Sequence, residues 1–273
     1  MIRADRKQAA PGNGLDAYLS IRLTPELVAR GRERMRTHRR LLDRIERWFG
    51  VQRRFVVAIW GAETGYGPYS GDIPVFQALA TLAWEPRRAD YFRAELFDAL
   101  RIVQRKHIDI GAMFGSWAGA MGQPQFMPSS YLKYAYDFDR DGRRDIWDST
   151  ADTLASIANY LRSFCWRNDE TWGREIALPG AMRPRVVGDA ALRNHGCAAV
   201  RTMTARHDLE YWAERGVRLA DGSLLPRAEM TASVVVTVDT RSFLVYPNYE
   251  TILAYNCTHH YALSVAMLAD KIR

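Results

Sequence analysis

From Phe55 the sequence runs Phe-Val-Val-Ala-Ile-Trp60-Gly-Ala, with no polar side chain until Glu63. Residues 52–62 are long enough for a helix and, from Phe55 onward, too uniformly apolar to leave a face in water. Such a helix must be wrapped by other apolar faces. It ends at Glu63-Thr-Gly-Tyr-Gly67, where two glycines permit turns and close backbone approach.

The flanking sequence supplies those faces. Thr24-Pro25-Glu26 starts a helix, with Thr as cap and Pro at the first helical position. Val28, Met35, Leu42 and Phe49 recur every seven residues, Ile45 and Trp48 widen the stripe, and Gly50 caps its end. His38 falls near this stripe and reads as a partly buried structural histidine, not a metal ligand. Residues 74–86, 89–107 and 150–165 read as further helices, whereas 111–135 mix small residues with aromatic ones. Beyond about 175 prolines and glycines break the pattern. Residues 217–225 read as a hairpin around Asp221-Gly222, 233–238 and 242–246 as strands, and 249–272 as a final helix. The fold class is therefore α+β and mainly helical, with a small β-rich section before the C-terminal helix. Along the chain this gives a polar tail over 1–22 leading into a short helix, a helical region over 23–184, a β-rich subdomain over 185–247 and a closing helix over 248–273.

Composition bounds the function. With 273 residues and 48% hydrophobic side chains the chain can bury a substantial core. Its net charge is +7, and ten arginines lie between Arg30 and Arg54 against only Glu33, Asp43 and Glu46. A solvated helix face is the plainer reading of that run, and a basic surface also suits a polyanion. No nucleic-acid-binding motif accompanies the charge, so nucleic acid is not an expected partner. The cysteines are Cys165, Cys197 and Cys257. Their odd number leaves at least one thiol free or paired between chains, is compatible with one bridge, and excludes a disulfide framework. The N-terminal sequence lacks an apolar signal-peptide core, and no run is long enough to span a membrane.

Glu63 ends an apolar helix. A carboxyl group in an apolar cleft resists ionisation, and a raised pKa is what a general acid needs near neutral pH. The competing reading is a helix-terminal glutamate facing water, and the local sequence alone favours it.

Four motifs in order change that weighting. Ile59-Trp-Gly-Ala-Glu-Thr-Gly-Tyr-Gly67, Ser116-Trp-Ala-Gly-Ala-Met-Gly-Gln-Pro-Gln125-Phe-Met-Pro-Ser-Ser-Tyr131, Ile157-Ala-Asn-Tyr160 and Tyr255-Asn256 resemble the signatures of the membrane-bound lytic transglycosylase B family. The resemblance runs from about residue 15 to the end and is least distinctive near 185–247. It implies a lysozyme-like fold and cleavage of the bond between N-acetylmuramic acid and N-acetylglucosamine in peptidoglycan, without consuming water. It implies Glu63 as the sole catalytic acid/base, Ser116 and Gln125 as hydrogen-bonding partners of the sugar at the cleavage point, and Tyr160, Tyr255, Asn256 and Tyr261 along the groove. Such side chains suit a glycan, because tyrosines stack on sugar faces while amides and hydroxyls read hydroxyl and N-acetyl groups. Core packing is the competing role for each tyrosine, and a helix cap the competing role for Asn256.

One carboxylate is enough for this chemistry, whereas most glycosidases use two. The closest acid downstream of Glu63 is Asp72, and with Asp72 across the cleft a hydrolytic lysozyme would result. A non-catalytic peptidoglycan-binding module is the other alternative, and the intact Glu63 argues against it. The substrate implies a periplasmic or cell-envelope workplace, and a monomer is expected.

Asp137-Phe-Asp139-Arg-Asp141-Gly142-Arg143 fits the start of an EF-hand loop. Acidic side chains fill positions one, three and five, glycine position six, and Arg143 would offer its carbonyl. Position twelve is Asp148 where glutamate is usual. The resembled family closes its loop later, with an aspartate before the Ala-Asn-Tyr helix, and Asp152 fits that place, in a loop one residue longer. Asp152 is therefore preferred to Asp148. A calcium ion here would be structural, since the chemistry requires no cofactor. The competing reading is a metal-free turn, and one loop alone argues against a calcium sensor.

Overall fold

The computed structural model describes residues 1–6, 14–67, 71–178, 188, 192–238 and 241–273. They fall into two units, one of Met1–Gly12, Pro25–Ser163 and Leu268–Arg273, the other of Asn13–Thr24 and Phe164–Met267. This differs from the linear division drawn from the sequence. Asn13–Thr24 groups with the β-rich part, and the last six residues return to the helical one.

The first unit holds α1 (Ile2–Arg6), α3 (Pro25–Thr37), α4 (Arg39–Phe49), α5 (Arg53–Thr64), α6 (Val75–Trp84), α7 (Ala89–Gln104), α8 (Pro128–Tyr134) and α9 (Thr150–Ser163). Two short strands, β1 (Ile73–Pro74) and β2 (Phe114–Gly115), pair antiparallel. Helix α5 is the apolar run. Every residue from Phe55 to Gly61 is buried, and α3, α4 and α9 pack around it. Fully burying each large apolar side chain contributes roughly 1.5–3 kcal/mol, so α5 is held by its surroundings more than by helix propensity.

The seven-residue stripe spans two helices rather than one. The chain turns at His38 (φ −99°), between α3 and α4, while the bonds from His38 N–H to Arg34 O and from Leu42 N–H to His38 O bridge the interruption. The His38 ring is partly buried and meets the Trp60 ring edge-on at 5.8 Å. Leu42, Ile45 and Phe49 are buried, but Trp48 is 55% exposed and does not widen the stripe. Gly50 closes α4 in the left-handed region (φ 65°), as the sequence suggests. Helix α7 also braces α8. The buried Glu95 carboxylate accepts the Ser129 N–H at 2.8 Å and the Ser129 hydroxyl at 2.7 Å, so it caps α8 from a neighbouring helix.

The second unit contains α2 (Leu15–Arg22) and a five-stranded antiparallel sheet. Its strands are β3 (Gly173–Ala177), β4 (His207–Asp208), β5 (Arg218–Leu219), β6 (Thr231–Val236) and β7 (Ser242–Val245), in spatial order β4-β6-β7-β3-β5. Helix α10 (Leu209–Glu214) lays Trp212 into the core with Val217, Val234, Leu244 and Tyr246, and the Trp212 indole donates to Ala232 O at 3.0 Å. The turn at Asp221-Gly222 exists, with Leu219 N–H on Ser223 O and Gly222 at φ 84°. It does not close the expected hairpin: no strand follows the turn, and β5 pairs with β3. Strand β3 has no alternating apolar pattern to announce it; pairing along β7 makes it a strand.

The closing helix is also divided, into α11 (Pro247–Tyr255) and α12 (His259–Lys271). Asn256 turns extended (φ −147°, ψ 115°), and the Thr258 hydroxyl oxygen accepts the Tyr261 N–H at 3.2 Å to start α12. The described residues are mainly helical with a two-stranded and a five-stranded sheet, the expected α+β class. No helix among the described residues is long and apolar enough to cross a membrane.

Candidate active site

Glu63 occupies the last turn of α5 and is half-buried. The helix ends behind it at Gly65, which is left-handed (φ 63°) and bonds back to Gly61 O at 2.9 Å. Tyr66 follows at φ 67° and is 2% exposed. Its ring lies in a slot made by two glycines. A Cβ on Gly61 would come within 2.4 Å of the ring, and one on Gly31 would lie 2.5 Å from the hydroxyl. Glycine at both places lets Tyr66 fold under the helix end that carries Glu63.

The second signature is a tight backbone structure beside α5. Isolated bridges join Gly115 to Met121 and Met121 to Phe126. Two left-handed residues, Gly122 (φ 62°) and Gln125 (φ 52°), turn the chain between them. For glutamine that conformation is strained, and such strain concentrates at functional sites. The Gln125 side-chain amide donates to Gly122 O at 2.9 Å. The Ser116 hydroxyl oxygen accepts the N–H groups of Ala118 (3.3 Å) and Ala120 (3.1 Å).

Gln123, which the sequence reading passed over, joins the parts. It is 3% exposed. Its side-chain oxygen accepts the Trp60 indole N–H at 2.8 Å, its amide donates to Trp147 O at 2.7 Å, and its backbone N–H donates to Ile146 O at 2.8 Å. Its carbonyl oxygen takes the hydroxyl of Thr64, next to Glu63, at 3.3 Å. One buried amide thus fixes the end of α5, the Ser116–Gln125 segment and the acidic loop before α9. A polar residue buried between Gly122 and Pro124 inside the motif was the available signal.

Tyr160 lies on α9 and is 7% exposed, with its ring 4.7 Å from that of Tyr134 and 5.7 Å from that of Phe126. Burial pushes its phenol well above the usual range. It therefore forms part of the wall behind Phe126 more than an open face. Asp72 is exposed, in a bend just before β1. In the second unit Tyr255 and Tyr261 stack with planes 12° apart and centroids 6.4 Å apart, and Asn256 between them in sequence is exposed. Asn256 follows the end of α11, so the cap at the start of α12 belongs to Thr258 and not to Asn256.

In the acidic loop, carboxylate oxygens of Asp137, Asp139, Asp141 and Asp152 all lie within 4.8 Å of one another. Asp148 is not in that cluster; its N–H donates to Asp145 Oδ1 at 2.9 Å. Backbone N–H groups of Arg140 and Gly142 donate to Asp137, and that of Arg143 to Asp141 at 2.8 Å. Asp152 is fully buried and accepts the Phe138 and Asp145 N–H groups. Burial raises its pKa to about 6, although these amides favour the anion. Four converging carboxylates held by their own loop fit a hard divalent cation.

Several arginines of the basic run are already engaged. Arg53 pairs with Asp43 and Glu46, Arg54 pairs with Asp270, and Arg44 lies 5.1 Å over the Phe138 ring. This is the pattern of a solvated, ion-paired helix face.

Comparison with known proteins identifies the family. The chain is 30% identical to membrane-bound lytic murein transglycosylase B of Escherichia coli (strain K12) over 266 residues. That stretch is 92% of this chain and 65% of the relative, so the chain spans somewhat less than two thirds of the relative's length. The crystal structure of SltB3 from Pseudomonas aeruginosa in complex with NAG-anhNAM-pentapeptide matches with a TM-score of 0.89 at 38% identity, over 99% of this chain and 70% of that one. Escherichia coli Slt35 in complex with calcium matches with a TM-score of 0.81 at 30% identity, over 99% and 81% of the two chains. A family model described as the transglycosylase SLT domain matches residues 1–270, and this chain belongs to that family.

Proposed function

We propose that this chain is a lytic transglycosylase that cleaves the β-1,4 bond between N-acetylmuramic acid and N-acetylglucosamine in peptidoglycan, with Glu63 as the single acid/base. The observation that carries this reading is the placement of Glu63. It sits half-buried in the last turn of a buried helix, tied through Thr64 and Gln123 to the segment bearing Ser116 and Gln125.

Protonated Glu63 donates to the glycosidic oxygen, and the N-acetylglucosamine side leaves. As carboxylate it then takes the proton of the C6 hydroxyl of the same muramic acid, whose oxygen closes on the anomeric carbon. The product is a 1,6-anhydro end, no water is consumed, and Glu63 is protonated again. The attacking oxygen is already part of the substrate, so proximity supplies much of the rate. Ser116 and Gln125 orient the sugar at the cleavage point, and Tyr255, Asn256 and Tyr261 contact the glycan. Tyr160 acts mainly by packing. The enzyme works as a monomer in the periplasm or another envelope compartment. Asp137, Asp139, Asp141, Asp152 and the Arg143 carbonyl hold a structural calcium.

Digestion of purified peptidoglycan by the protein and by Glu63→Gln, with the products weighed, tests the reading. Anhydro-muropeptides from the first and a loss of about 10²–10⁴-fold in the second are expected. Products heavier by one water would make the enzyme a lysozyme and direct attention to Asp72. No cleavage by either protein, with glycan binding retained, would leave a binding module.

A further inference from the structure

Among the described residues, the three candidate glycan contacts of the second unit cluster at the break between α11 and α12. Tyr255 is the last residue of α11, Asn256 leaves the helix, Thr258 caps α12, and Tyr261 lies in its first turn. Only Cys257 stands between Asn256 and the cap, and it forms a disulfide with Cys197, sixty positions earlier (Cα–Cα 6.3 Å). Locally, Asn256 N–H reaches Ile252 O at 3.3 Å and Thr258 N–H reaches Asn256 O at 2.8 Å, and the disulfide adds the covalent tie to a distant segment.

The segment holding Cys197 is itself anchored. Arg201 N–H bonds to Cys197 O at 3.1 Å, and Ala199 N–H points at the Cys257 sulfur at 3.3 Å. Thr202 Oγ1 lies 2.9 Å from Nε2 of His259, the first residue of α12, and the other ring nitrogen of His259 lies 2.9 Å from the Tyr249 hydroxyl on α11. Thr204 then joins the sheet, donating its N–H to Val234 O at 3.2 Å and accepting the Val234 N–H at 2.8 Å through its hydroxyl. A continuous path thus leads from β6 through residues 197–204 to both sides of the break. The disulfide is its covalent link, and the Thr202–His259 contact runs beside it.

We infer that the Cys197–Cys257 disulfide is a positioning element for the glycan-binding segment 255–261, so that breaking it weakens glycan affinity while sparing the chemistry at Glu63. This rests on the transglycosylase reading for the roles of Tyr255, Asn256 and Tyr261. Neither cysteine touches the substrate in this account. Asn256 and the stacked tyrosines present their groups together because the residue between them is pinned.

The test uses the full chain with Cys165→Ser, which removes the exposed third thiol and prevents exchange. In Glu63→Gln, binding of a peptidoglycan-derived oligosaccharide is measured by calorimetry before and after dithiothreitol. The reagent's two thiols become its cyclic disulfide as the protein's S–S bond becomes two thiols. A tenfold or greater loss of affinity on reduction is expected, with KM rising and kcat changing less than twofold in the active enzyme. Cys197→Ser with Cys257→Ser should bind like the reduced form and ignore the reductant. Equal affinity in both redox forms, in protein that remains folded by circular dichroism, would overturn the inference. So would double-serine protein that binds as tightly as the oxidised form. Failure of the functional reading is seen separately, in the absence of anhydro products from the oxidised active enzyme.

Discussion

At the scale of single residues, the account turns on two side chains that the sequence presents unequally. Glu63 stands out in the sequence as a candidate because a charged residue ends an apolar run inside a recognisable motif. Gln123 does not, because no pattern in one dimension says that an amide will meet an indole from one helix and a carbonyl from a distant loop. Gln123→Ala would strand the Trp60 indole N–H and the Trp147 carbonyl. Stability should fall by about 2–3 kcal/mol in denaturant unfolding, and activity should fall with it. Gly61→Ala should lose at least 1–3 kcal/mol through overpacking, since its new methyl would overlap the Tyr66 ring. Equal midpoints for Gly61→Ala and the parent would contradict the slot described for Tyr66.

Elements repeat the lesson. Helix α5 stands close to where the sequence places it, over Arg53–Thr64, because its uniform apolarity demands burial on every side. The strand character of β3 depends on a partner far along the chain, its ladder with β7, while the closing helix divides at Asn256, beside the Cys197–Cys257 disulfide. The turn at Asp221-Gly222 forms, but no strand follows it to close a hairpin, and β5 pairs with β3 alone. Spacing alone makes the acidic loop a candidate metal loop, but the identity of its last carboxylate depends on where α9 begins, and of Asp148 and Asp152 it is Asp152 that lies in the cluster. Calcium should raise the melting temperature of the native protein and not that of Asp152→Asn. Identical calcium-dependent shifts in both would remove Asp152 from the site. Closing a loop of sixty residues with a disulfide stabilises by about 4 kcal/mol on the chain-entropy estimate, so reduction should lower the melting temperature as well as affinity.

Across the whole molecule, charge and proton balance set the working conditions. A net charge of +7 should make wall binding weaken as salt rises from low to high concentration, which a pelleting assay measures. His259 is held neutral, its pKa pushed down from 6.5 to about 4, first by burial and further by His260, against an opposing backbone hydrogen bond at Ala199. Its folded pKa lies below its unfolded one, so its contribution is whole above pH 6.5 and is lost as pH falls toward 4. That loss amounts to no more than about 3 kcal/mol. His259→Gln should flatten the acid limb of the stability curve, and an unchanged limb would show that other groups govern it.

The central claim is that the attacking oxygen belongs to the sugar and not to water, and cleavage in water enriched in heavy oxygen tests it most directly. Anhydro-muropeptides carrying no label are the predicted result. Reducing-end muramic acid carrying the heavy atom at its anomeric carbon would contradict the account and make the enzyme a hydrolase.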